Sequence, residues 1–91
     1  MKLYHFSDPG HGWLKVRRSV LAEFVDIKKV TSYSYAKNDD VYLEEDCDAP
    51  FFINALKKAG IEVVVTERHS YTRSRIRNYP RFAAVQGSTN S

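Results

Sequence analysis

Five arginines, Arg68, Arg73, Arg75, Arg77 and Arg81, fall among Tyr71, Tyr79, Phe82 and several hydroxyl residues near the C-terminal end of the chain. Guanidinium groups clamp phosphates and aromatic rings stack on unpaired bases, so this mixture carries the chemistry of a single-strand nucleic-acid binder. From Ile61 onward the five arginines meet only Glu62 and Glu67, whereas Met1 to Gly60 balances nine Lys/Arg against nine Asp/Glu. The whole formal charge of +3 therefore sits in the last third. The acids cluster as Asp39, Asp40, Glu44, Glu45, Asp46 and Asp48. Arginines folded onto that block would form an internal strap, and arginines left open beside exposed tyrosines would form a binding surface. The expectation is the first: Arg73, Arg75 and Arg77 docked on Glu44, Glu45 or Asp46.

Other constellations carry less. Glu44-Glu45-Asp46-Cys47-Asp48 offers oxygen ligands to a hard cation, but it has no turn glycine, and Asp48 is placed to cap a helix. Cys47 has anionic neighbours that disfavour its thiolate, so it reads as a small packing residue. His5, His11 and His69 share no short spacing and would form a metal site only if the fold brought them together. Asp8-Pro9-Gly10-His11-Gly12 is turn chemistry, and no Lys-Ser/Thr pair follows to make it a phosphate loop. No metal, cofactor or catalytic residue is expected.

These groups need elements to hold them. Lys2 to Phe6 and Gly12 to Arg17 read as strands around the Pro-Gly turn. Val20, Leu21, Phe24, Val25 and Ile27 line one helical face, which predicts a helix over 20–29 with Ser19 as its N-cap. Thr31 to Glu44 alternates with period two around Lys37-Asn38-Asp39-Asp40 and predicts a hairpin, with Tyr33 and Tyr35 on one face. Phe52, Ala55, Leu56 and Ala59 predict a second helix over 49–59, stopped by Gly60. Ile61 to Thr66 is apolar on both faces and predicts a central or covered strand.

The expected fold is α+β, in the order β-β-α-β-β-α-β. It has a single antiparallel or mixed sheet of about five strands with two helices packed on one face. At 91 residues one domain over 1–82 is expected, with an Arg-rich segment at 68–82 and a flexible polar tail at 83–91. A single cysteine excludes an internal disulfide framework. No signal region or membrane-length apolar run occurs in the 91 residues, and a cytoplasmic location is expected.

His11-Gly12-Trp13-Leu14-Lys15-Val16, Ser32-Tyr33-Ser34-Tyr35, Tyr42-Leu43-Glu44-Glu45-Asp46-Cys47-Asp48 and Arg75-Ile76-Arg77-Asn78-Tyr79, taken in order, form a pattern. It resembles a family of small uncharacterised proteins encoded in bacteriophages, prophages and other bacterial mobile elements, and the likeness runs from about Tyr4 to Phe82. The resemblance implies an accessory role inside a bacterial host cell, such as interference with a host enzyme or defence system. The expected function is accordingly non-catalytic binding of a host or viral protein, with Trp13, Tyr33, Tyr35, Arg73, Arg75, Arg77 and Arg81 as contacts. The alternative is non-specific nucleic-acid binding through Arg73, Arg75, Arg77, Tyr79 and Arg81.

Overall fold

Leu14 and Val16, and likewise Val41 and Leu43, alternate with polar or aromatic neighbours, the period that a sheet with one covered face requires. The computed structural model, which describes residues 1–84, pairs those two segments directly. The elements are β1 (Lys2–Ser7), β2 (Gly12–Arg17), α1 (Arg18–Phe24), β3 (Tyr35–Lys37), β4 (Asp40–Glu44), α2 (Asp48–Lys58) and β5 (Val64–His69). Strand order is β3-β4-β2-β1-β5, antiparallel except for the β1–β5 pair. The expected mixed five-stranded α+β sheet is therefore what forms. Leu14, Val16, Val41 and Leu43 meet Leu21 of α1 and Phe52 and Leu56 of α2 in one core.

Several local expectations differ from what forms. The first helix ends at Phe24 because Asp26 accepts the Lys28 amide at 3.0 Å and starts a 3-10 turn, Ile27–Lys29. A side chain that offers the backbone an alternative partner breaks the helix there. Ser19 lies inside that helix, which begins after Arg17 with no side-chain cap. Residues 31–34 form a turn instead of strand, because Asp48 does not cap α2. Its buried carboxylate accepts from the Thr31 amide at 3.1 Å and from the Thr31 and Ser34 hydroxyls.

The last strand starts at Val64 and is an exposed edge, not a central strand. Gly60, with φ 76°, ends α2, and Ile61 and Val63 then pack on the core while the chain crosses back to the sheet. Their apolar character serves that crossing, so the burial that the apolar run implied is confined to them.

Residues 70–82 form a strap across the face opposite the helices. The 3-10 turn Arg75–Asn78 lays Ile76 against Trp13 and Tyr42, and Tyr79 packs on Tyr42 with ring centroids 5.2 Å apart. The chain then passes the β3 edge. The Ala36 amide donates to the Pro80 carbonyl and the Phe82 amide to the Ser34 carbonyl, both at 2.8 Å. Pro80 needs no N–H in this pairing. Phe82 drops into the helix-side core, so one segment closes both faces. Of the expected tail, Ala83 and Ala84 hold Arg18 through their carbonyls, and the remainder lies outside the described residues.

Leu56 is fully buried at the centre of the helix-side core. Leu56→Ala is expected to cost about 2–5 kcal/mol, read as a lowered midpoint in thermal and urea unfolding; an unchanged midpoint would place the α2 stripe outside the core.

Candidate functional site

The strap is held down at one carboxylate. Asp8, buried in the β1–β2 turn, accepts Arg77 Nε at 2.7 Å and Arg77 Nη2 at 2.8 Å. It also accepts the Ser74 amide at 2.9 Å and the Gly10 and His11 amides at 3.0 Å. A side chain at Gly10 would stand 2.8 Å from Arg77 Nη2, so glycine there lets the guanidinium approach. The Arg77 guanidinium above all, then the Ser74, Gly10 and His11 amides, hold the Asp8 carboxyl far below the usual carboxylate range, against the opposing pull of burial. The same guanidinium lies 5.4 Å from the Trp13 ring centroid.

Strand register defines the face beneath the strap. One cross-strand row runs Glu44, Trp13, Phe6, Arg68, and the next runs Tyr35, Tyr42, Lys15, Tyr4, Thr66. Alternation puts Arg17 and Lys2 on the same face beyond them. The strap covers the Trp13 and Tyr42 end and leaves the Tyr4 end open. Tyr4 is 45% exposed, its ring lies 6.4 Å from that of Phe6, and the Arg68 guanidinium stands 5.3 Å from its centroid. Beside it Phe6, Tyr42 and Tyr79 join Arg73, Arg75 and the hydroxyls of Ser70, Thr72 and Ser74 around a cavity of about 400 Å³. No carboxylate lines that cavity. Elsewhere on this face, Asp40 lies 3.8 Å from Lys15 and Glu44 pairs with His11 at 2.8 Å. Glu67 and Glu45 are engaged on the helix side, where His5 bonds Glu67 at 2.9 Å and lies 3.8 Å from Glu45.

A second cavity of about 450 Å³ opens on the other side of the strap, where Trp13, Tyr33 and Tyr35 line it together with Arg77, Arg81, His11, Cys47 and the acids Glu44 and Asp46. The Trp13 indole N–H is buried and has no acceptor among the described residues. Desolvation, then the charges of Asp48 and Glu44, push the Cys47 thiol up, in keeping with its anionic neighbours. Cys47 is exposed and is not the packing residue its small size implied.

The expected contact residues divide three ways. Trp13, at 1% exposure, is a core residue and not a partner contact, because Arg77, Tyr35 and Ile76 enclose it. Arg77 is held by Asp8, and Arg81 lies 4.7 Å from the Tyr35 ring centroid and donates Nη1 to the Ser32 carbonyl at 3.2 Å while lining the second cavity. Tyr79 is clamped between Tyr42 and Lys37. Arg73 and Arg75 are exposed beside the 400 Å³ cavity, while Tyr33, 64% exposed, and Tyr35 line the other one. The acidic block is not the arginines' partner. Its Glu44 and Glu45 turn to histidines, and Asp8, 66 to 69 positions from its strap partners, takes that role.

Tyr4, Phe6 and Lys15 were missed as site residues, although the alternation of Lys2, Tyr4 and Phe6 marks a ring-bearing face. His5, His11 and His69 each have a separate partner, and no group of three His, Cys, Asp or Glu could hold a metal ion among the described residues. No helix among the described residues is long and apolar enough to cross a membrane. No protein-family model, curated protein or solved structure matches the chain.

Because the folded state holds the Asp8 proton more weakly than the unfolded chain does, the latch contributes fully at neutral pH and is lost as pH falls below about 5. Asp8→Asn is expected to lower the melting temperature at pH 7 and to flatten its decline between about pH 5 and 2. Circular-dichroism melts across that range check it, and parallel wild-type and variant curves would refute the latch.

Proposed function

We propose that this protein binds single-stranded nucleic acid on the open part of the sheet face. Tyr4 and Phe6 act as the stacking platform, and Lys15, Arg68, Arg73 and Arg75 contact phosphate. The observation that carries the reading is Tyr4, an exposed ring at the middle of a cationic face, already backed by a guanidinium. Rings projecting from neighbouring positions of one strand can each take an unstacked base, which is how sheet platforms hold single strands. Both helices pack on the far side of the sheet, so no α-helix among the described residues stands on this face to enter a duplex major groove. The separation of charge supports the same reading. Arg68, Arg73 and Arg75 have no carboxylate partner among the described residues. A docked strand would bring the missing anions and release its counterions.

A protein partner is the second reading, and the β5 edge favours it. The Val64 and Ser70 amides donate inward, to the carbonyls of Met1 and Ser7 at 2.8 Å. Peptide directions alternate along a strand, so Val65, Glu67 and His69 turn their N–H and C=O groups outward. An extended segment of a host or viral protein, the kind of partner that the mobile-element resemblance implies, could add there as a sixth strand.

Fluorescence anisotropy with short single-stranded DNA and RNA oligomers tests the first reading. Binding is expected to weaken with salt at a logarithmic slope of about 0.7 per phosphate contact. An Arg73→Ala/Arg75→Ala variant should lose about 1.4 of that slope. Tyr4→Ala should cost about 1–3 kcal/mol of affinity without lowering the melting temperature. Absence of binding at low salt, or a Tyr4→Ala variant that binds like the wild type, would leave the β5 edge as the better candidate.

A further inference from the structure

We infer that the cavity walled by Trp13, Tyr33 and Tyr35 recognises a guanine base. Its volume of about 450 Å³ lies in the range of small-ligand sites. Two of its four principal charges are internally matched, Arg77 by Asp8 and Glu44 by His11. The other two, Asp46 and Arg81, have no ion-pair partner among the described residues. A ligand that suits this lining is planar, carries adjacent donors for a carboxylate, and offers acceptors to a guanidinium. Guanine meets all three conditions. Its N1–H and N2–H₂ groups sit side by side, and its O6 and N7 atoms accept arginine. Adenine and cytosine each present a single amino group, and uracil a single N–H.

Two further observations agree. Trp13 lines the cavity as a third ring beside Tyr33 and Tyr35, an aromatic lining that suits a planar base. Both carboxylates, Glu44 and Asp46, line this cavity, whereas none lines the cavity beside Arg73 and Arg75, which makes the latter the better place for a strand's phosphates.

The source of the base is either a strand held on the Tyr4 face, which rests on the proposed function, or a free guanine nucleotide, which presents the same edge. Titration calorimetry with the four nucleoside monophosphates, and with octauridylate with and without one central guanine, separates the two. The guanine-containing octamer is expected to bind about tenfold tighter than octauridylate, the scale of one bidentate base contact. Asp46→Asn, at an exposed position, should abolish that preference and leave octauridylate binding unchanged. Equal affinities for both octamers, or a preference that survives Asp46→Asn, would overturn the inference while leaving the Tyr4 platform intact. Asp46-dependent binding of guanosine monophosphate without binding of either octamer would support the cavity and remove the platform. Failure of every ligand would overturn both.

Discussion

One buried carboxylate sets the arrangement of the sheet's open face. Asp8 gathers two guanidinium hydrogens and three amides from two segments far apart in sequence. A carboxylate removed from water is costly unless its lone pairs are filled, and here five donors fill them. With Arg77 pinned, the strap must pass over Trp13, which places Ile76 and Tyr79 on the aromatic end of the sheet. Phe82 then closes the path by entering the opposite core. The Tyr4 end stays open because the strap turns away from it toward β3.

A second buried carboxylate does comparable work on the helix side. Asp48 ties the turn at 31–34 to the first turn of α2, and Ser34 relays that tie to β4 through the Glu44 amide at 2.9 Å. This fixes the β3 end, against which Pro80 and Phe82 pair, so the two carboxylates anchor opposite ends of the same strap. Both are acids at segment junctions, where backbone donors are abundant and helix or strand bonding cannot satisfy all of them.

Charge is sorted by this scaffold more sharply than by the sequence. Histidines engage Glu44, Glu45 and Glu67, while Lys15, Arg17 and Arg68 share a face with Tyr4. The strap adds Arg73 and Arg75 to the Tyr4 side and places the cavity that Asp46 lines beyond itself. A modest net charge of +3 thus gathers Arg68, Arg73 and Arg75 on one side without carboxylate partners among the described residues, while Asp40 meets Lys15, Asp8 holds Arg77, and Glu44, Glu45 and Glu67 engage histidines.

The sequence by itself determined the strand and helix types wherever an apolar period was strong. Leu14 and Val16, Val41 and Leu43, and the Phe52–Leu56 stripe all lie where their spacing put them. It also showed that the arginine segment would decide between docking and binding. The tertiary structure alone decided which arginine does which. Arg77 differs from Arg73 and Arg75 only by lying opposite Asp8 when the β1–β2 turn forms, a contact spanning 69 positions that no local pattern encodes. Trp13 reads from the sequence as an anchor into either the core or a partner surface, and it is buried because a distant segment covers it. The run from Ile61 to Thr66 reads as a central or covered strand because apolar content reports burial without saying which residues achieve it. Local periodicity fixes which way a side chain faces, whereas what it meets depends on long-range closure, and that is where this protein keeps its candidate sites.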